Sequence, residues 1–397
     1  MDHYGAGVVM TAAENTALVL SGGGVYGAFE VGVMKALFGG ASPVTGYQPL
    51  DAGIFCGTSI GAFNAACMVG CTAATNLEAA LRLENIWVQD VAQRPGACGS
   101  GALRIRGLSE YSNVDCYRQP AALAGRFARD SVALSRYVIG RTANFLAASG
   151  SLVDRITSLV NLESFVDQKV FQELVNRSFR EEDILHAAKR LNLVATNWST
   201  GQSEFFMNTD FLNGRGYKCV MASAALPGVF PPVEIEGDNY VDGGVTENTP
   251  LNTAIKDGAT ELHVVYLNPE PQFIPLKGQP DTLDTMLRVF YLMLAGKIQR
   301  DIVTAGWIND GLKAMEQFQA EGQVPASAAL AFARISSKLL HGAYHAVTIH
   351  QYYPKTPLGG EFGMVDNRLT AVEKLIREGE NVALTHDCGE SQCLLPS

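Results

Sequence analysis

The first patterned segment is Ala17-Leu18-Val19-Leu20, an unbroken apolar run that stops at Gly22-Gly23-Gly24. Beyond it Phe29, Val33, Ala36 and Leu37 recur at helical spacing and predict a helix from Val25 to Phe38. The same grammar returns at Ile54-Phe55-Cys56, followed by a glycine-bounded turn and an alanine-rich helix to about Val69. Short, wholly apolar strands that feed glycine turns and then helices predict a parallel α/β sheet. Further strands are expected at Leu191–Ala195, Ser203–Met207, Tyr240-Val241, Glu261–Leu267 and Val347–Tyr353. The first two of these form an antiparallel pair joined at Thr200-Gly201. Leu283, Leu287, Phe290, Leu294, Ile298 and Ile302 mark one long amphipathic helix over 283–308, and a terminal helix is expected over Leu369–Leu384. The chain has no internal repeat and no low-complexity tract. The expected fold class is therefore α/β, with a mainly parallel central sheet flanked by helices.

Composition supports an ordinary globular chain: of 397 residues, 47% are hydrophobic and 18% charged, which excludes disorder, collagen and coiled coil. A formal net charge of -10 argues against nucleic acid as a partner. That average conceals an insertion over about 94–155, where nine Arg face four acids and no Lys occurs. The insertion is expected to be helical and loop-rich, either a solvated lobe or a cap that meets anionic head groups. Residues 52–77 carry no charge, yet Gly53, Gly57, Gly61 and Gly70 interrupt them, so strand, turn and buried helix is a better reading than a membrane span. The N-terminal residues lack the basic and apolar regions of a signal peptide, which predicts a cytoplasmic protein with possible peripheral membrane contact. Most of the eight cysteines fall in apolar surroundings without metal-ligand spacing and are read as buried free thiols, while a Cys388/Cys393 pairing is left open. No cofactor or metal is expected.

The chemistry-bearing residues sit at the strand ends. Gly57-Thr58-Ser59-Ile60-Gly61 has the form G-x-S-x-G between a strand and a helix. There a serine occupies a cramped turn with its hydroxyl exposed, and small flanking residues remove the clashes. The helix after Ser59 would aim its free amides at an oxyanion; a purely structural turn is the alternative. Gly22-Gly23-Gly24-Val25-Tyr26-Gly27 can present backbone amides to an oxyanion or a phosphate. It also fits a dinucleotide fingerprint, but the next strand ends at Cys56 without the acid that would hold a ribose. Asp242-Gly243-Gly244 follows a short strand and offers a carboxylate. A triad of Ser59, Asp242 and His263 has an allowed chain order, yet His263 lies in an apolar run that suits a core histidine. A Ser–Asp dyad is the simpler arrangement. His341, His345 and His350 are as compatible with packing as with catalysis.

Four blocks in this order resemble the patatin-like phospholipases. They are Gly22–Gly27, Gly57–Gly61, Ala222–Pro232 and Asp242-Gly243-Gly244-Val245-Thr246-Glu247-Asn248-Thr249-Pro250, spread over about residues 15 to 270. The segment Ala195–Gly201 looks like the family's strand before the third block. The resemblance implies a three-layer catalytic domain over 15–270 carrying the Arg-rich insertion, with residues 271–397 as a helical region packed on it or continuous with it. It also implies a lipid acyl hydrolase acting on phospholipids or related esters, with Ser59 as nucleophile and Asp242 as base. The amides of Gly23, Gly24 and Ile60 would form the oxyanion hole, supported by Gly22, Gly27, Gly57, Gly61, Gly243 and Gly244. Tyr26 departs from the pattern, since the family often has Arg or Lys there. An acyltransferase using the same acyl-Ser59, or a non-catalytic lipid- or nucleotide-binding module, remains an alternative.

Overall fold

The structure is a computed structural model and describes residues 15–93, 168–227, 229–267, 302–314, 345–355 and 366–395, with a few isolated positions besides. The Arg-rich insertion and most of the helix expected over 283–308 lie outside the described residues; 302–314 is helical.

One eight-stranded sheet organises the chain, with β4 paired to β3 beside the path β5-β6-β3-β2-β1-β7-β8. The strands are β1 (Thr16–Leu20), β2 (Ile54–Thr58), β3 (Arg190–Asn197), β4 (Ser203–Met207), β5 (Val233–Ile235), β6 (Asp238–Asp242), β7 (Glu261–Val265) and β8 (Thr348–Tyr352). β1, β2, β3, β7 and β8 run parallel, whereas β4 and β6 are antiparallel to β3. The fold is thus mixed and mostly parallel, as the strand–turn–helix grammar predicts.

The helices are α1 (Gly27–Phe38), α2 (Ile60–Val69), α3 (Asn76–Ile86), α4 (Gln168–Ser178), α5 (Glu181–Leu185), α6 (Arg215–Ser223), α7 (Leu251–Lys256) and α8 (Leu369–Leu384). Strand alternation divides the interior between the two faces of the sheet. Leu18, Leu20, Phe55, Leu193 and Val265 pack with α1, α2 and α8 through residues such as Phe29, Val33, Phe63, Val372 and Ile376. Ala17, Val19, Ile54, Cys56, Leu262, Val264 and Ile349 instead meet Leu251 and Ala254 of α7, with Ile302 and Ala305 alongside. The central strands read as continuous apolar runs because both of their faces are covered.

Two details depart from the periodicity. The helix expected from Val25 starts with a separate 3-10 turn over Gly24–Tyr26, and a π-helical turn over Trp87–Val91 extends α3. The carboxy-terminal region supplies β8, an edge strand of the same sheet, as well as α8. α8 lies against α1 in backbone contact. A Cβ on Gly32 would run into the Ile376 carbonyl, and one on Gly379 would run into the Phe29 carbonyl.

Candidate active site

The register of β3 brings the serine and aspartate motifs together. Val194 pairs with Thr58 of β2 and with Phe205 of β4, while Ala195 pairs with Asp242 of β6 and with Glu204 of β4. β4 therefore holds one edge of β3, and the other edge is shared end to end by β2 and β6. β2 arrives running parallel and stops at Thr58; β6 arrives antiparallel and stops at Asp242. The residue after Thr58 is Ser59, so the two strand ends meet.

Ser59 occupies a strained position, with φ 56 and ψ -122. Such a conformation costs a non-glycine residue on the order of 1–3 kcal/mol and persists only where its surroundings enforce it. The enforcement is visible: a Cβ on Gly57 would strike the Gly61 carbonyl, and one on Gly61 would strike the Leu20 carbonyl. The Ser59 amide donates to Ser223 Oγ at 2.9 Å, and that hydroxyl donates to the Val194 carbonyl at 2.5 Å. The block Ala222–Pro232 thus contributes a hydroxyl that braces the turn from β3.

Ser59 Oγ donates to Asp242 Oδ2 at 2.6 Å. The other carboxylate oxygen accepts from the Gly244 amide at 2.7 Å, and the backbone of Asp242 is held by Thr196 Oγ1 and the Ala225 carbonyl. Asp242 is only 2% exposed. Burial pushes its carboxyl up to about 7, against the opposing bonds from Ser59 and Gly244. Burial prevails because removing water from a carboxylate costs more than these bonds return.

The glycine loop crosses directly beside the serine. A Cβ on Gly22 would lie 2.9 Å from Ser59 Cβ, and the Gly22 amide is taken by Asn248 Oδ1 at 3.1 Å. Asn248 reaches back through Nδ2 to the Gly22 carbonyl at 3.4 Å, and Ser21 Oγ pairs with Thr249 Oγ1 at 2.8 Å. A Cβ on Gly23 would lie 2.8 Å from Leu267 Cβ, and Gly24 takes φ 60 as the opening residue of the 3-10 turn. The first amides of that turn have no partner within it, which also holds for Ile60 at the start of α2. Gly27 lets the two helical starts approach, since its Cβ would lie 2.7 Å from Ile60 Cγ1. Gly243 passes under the Val194 carbonyl with the same intolerance of a side chain. Tyr26, where the family often has a cation, is buried in the 3-10 turn.

The structure separates His263 from this group. It is fully buried in β7, with Nδ1 2.9 Å from the Tyr352 hydroxyl and Nε2 3.2 Å from Glu261 Oε1. His345 contacts the Ala259 carbonyl, and His350 lies in β8; His341 is outside the described residues. Two supports escape sequence reasoning. Ser223 sits within Ala222–Pro232 without a visible role of its own, and Glu30 interrupts an apolar helix. Glu30 is fully buried and accepts from Asn64 Nδ2 at 2.7 Å, while Trp87 Nε1 donates to Asn64 Oδ1 at 2.9 Å. This network ties α1, α2 and the π turn together behind the site. A lone acid among apolar helical positions was the available signal.

A patatin-like phospholipase family model matches residues 18–255, well over half of the 397-residue chain. The chain belongs to the patatin-like phospholipase family. The matched span contains the glycine loop, Ser59, Ser223 and Asp242. Among solved structures, the crystal structure of VipD from Legionella pneumophila is similar at 15% identity, with a TM-score of 0.35, covering 91% of this chain and 67% of that one. Among curated proteins none matches. Patatin-like membership supports lipid acyl hydrolysis in general, and no helix among the described residues is long and apolar enough to cross a membrane.

Proposed function

We propose that this protein hydrolyses acyl ester bonds of phospholipids or related lipids through a Ser59–Asp242 dyad. The observation that carries the reading is the direct 2.6 Å hydrogen bond from Ser59 Oγ to Asp242 Oδ2 at the meeting of two strand ends. As Ser59 Oγ attacks the ester carbonyl, Asp242 takes its proton. A tetrahedral oxyanion forms, collapses to an acyl-Ser59 ester and expels the alcohol, which takes a proton back from Asp242. Water then attacks the acyl-enzyme with Asp242 again as base, releasing the fatty acid. The amides of Gly23 and Gly24, with that of Ile60, are the proposed oxyanion donors. They lie at two helical starts whose dipoles favour developing negative charge. The Ser59 amide is committed to Ser223 and is not counted among them.

The supporting experiment labels the intact chain with a fluorophosphonate and maps the adduct, while fatty-acid release from phosphatidylcholine vesicles is followed in parallel. Labelling is expected at Ser59. Ser59→Ala and Asp242→Asn are each expected to lower the hydrolysis rate by about 10³-fold or more while the chain stays folded. An Asp242→Asn variant of near-normal rate would sink the dyad.

A further inference from the structure

At the edge of the sheet remote from Ser59, four side chains converge that the hydrolase reading does not use. His350 lies on β8, His386 just beyond the end of α8, and Cys388 and Cys393 on the turns that follow. One ligating atom from each falls within 4.8 Å of the others. His386 Nε2 is 3.3 Å from Cys393 Sγ, and His350 Nδ1 is 3.5 Å from Cys388 Sγ. A tetrahedral zinc centre with Zn–S of about 2.3 Å and Zn–N of about 2.0 Å has sulfur–nitrogen edges of about 3.5 Å. We propose that His350, His386, Cys388 and Cys393 bind one zinc ion in a closed structural site.

Several features outside the four ligands fit such a site. Both cysteines are free thiols. The Gln351 amide points at Cys393 Sγ from 3.4 Å, and an N–H donor of this kind stabilises a metal-bound thiolate. Cys388 and Cys393 are five positions apart, in a turn closed by the Cys393 amide on the Cys388 carbonyl at 3.0 Å. His386 packs against Tyr352 with ring centres 4.6 Å apart and the ring planes tilted by 41°, and its Nε2 is turned to Cys393 Sγ.

Glu261, His263 and His350 form a second converging group, which shares His350. The two groups use opposite nitrogens of that ring: Nδ1 faces Cys388, whereas Nε2 lies 3.7 Å from Glu261 Oε1. A ligating histidine commonly directs its other nitrogen to a carboxylate that fixes its orientation. Glu261 is therefore assigned as the positioning residue, and the two-histidine, two-cysteine set as the ligands. Soft sulfur with imidazole in tetrahedral array selects zinc over magnesium or calcium. With all four positions filled by protein, the ion has no place for substrate and serves to hold the tail. It would reinforce the antiparallel bridge between Ile349 and Leu394 and fasten the end of α8 to the sheet. No spacing in the sequence announces the site, because its first histidine comes from a distant strand.

The proposal is tested on the full reduced chain. After chelator treatment, the protein is titrated with Zn²⁺ and, separately, with Co²⁺ as a spectroscopic probe. About one equivalent of zinc should be retained after desalting, and cobalt should give a thiolate charge-transfer band with the intense visible bands of tetrahedral coordination. Cys388→Ser and Cys393→Ser should abolish the charge-transfer band or reduce it sharply. Cys56→Ser, buried elsewhere, should leave it intact. Glu261→Gln should weaken zinc binding by about tenfold or more without changing the stoichiometry. Zinc should raise the melting temperature of the wild type in a concentration-dependent way and leave that of Cys393→Ser unmoved. Lack of retained zinc in the reduced wild-type chain, an octahedral cobalt spectrum, or a native intact mass two hydrogens low from a Cys388–Cys393 disulfide would each overturn it. Because the readouts are metal content and spectra, they stand apart from the hydrolase assay, and Ser59→Ala should bind zinc like the wild type.

Discussion

At the scale of single residues, the ionisation of Asp242 decides when the site can work. The carboxyl must be charged to accept a proton from Ser59, and burial holds it up near 7. With Asp242 as base, kcat/KM is expected to rise with pH through a single ionisation near 7 and level off above it. A rate flat from pH 5 to 8 would mean that another group takes the proton. Ser223 makes a second test. Replacing it with Ala frees the Ser59 amide and leaves the buried Val194 carbonyl without that donor. Such a loss is expected to cost about 1–3 kcal/mol of stability, read by urea unfolding, together with a fall in kcat as the strained turn relaxes. Much of the site was legible beforehand because its chemistry is written in local motifs: Ser59 between close-packed glycines, Asp242 before two more. Ser223 was not legible as a brace, since one hydroxyl in a run of small residues carries no mark of the strand it will meet.

Elements follow the apolar pattern closely where they are buried on both faces. β1 and β2 are built on the apolar runs Ala17–Leu20 and Ile54–Cys56, and α8 has the bounds Leu369–Leu384 that its periodicity predicts. Contacts between elements are another matter. Nothing near Gly32 in sequence reveals that α8 will lie against it, because the partner is a helix at the far end of the chain. Yet at this crossing a Cβ on Gly32 would meet the Ile376 and Glu380 backbone, and one on Gly379 would meet Phe29. An alanine normally improves a helix interior by up to about 1 kcal/mol over glycine. Here the obstructing atoms are backbone and cannot rotate aside, so overpacking at about 1–3 kcal/mol should win. Gly32→Ala and Gly379→Ala are each expected to lower the melting temperature. A rise in either would show that the two helices are not in backbone contact.

Over the whole molecule, the electrostatic question shifts from net charge to where protons are held. A chain at -10 overall nevertheless buries, among its described residues, two carboxyls that are pushed up by desolvation, Glu30 behind the site and Asp242 within it. For Glu30, burial outweighs the opposing bonds from Asn64 and the Ser21 backbone, and one of its oxygens has no partner among the described residues. Each group binds its proton more tightly in the folded state than in the unfolded chain. Stability is therefore highest below the unfolded carboxylate range and falls as pH rises towards the folded value, by up to about 1.4 kcal/mol per pH unit for each group. Glu30→Gln keeps the shape and an acceptor for Asn64 but has no proton to lose. Measured by urea unfolding from pH 5 upwards, its stability relative to wild type should improve as pH rises above the unfolded carboxylate range. The corresponding gain in Asp242→Asn should level off near 7, where that carboxyl has ionised. Taking each variant against wild type removes contributions the two proteins share, including those of the buried histidines. A difference that stays constant over this range would mean that Glu30 is charged in the core.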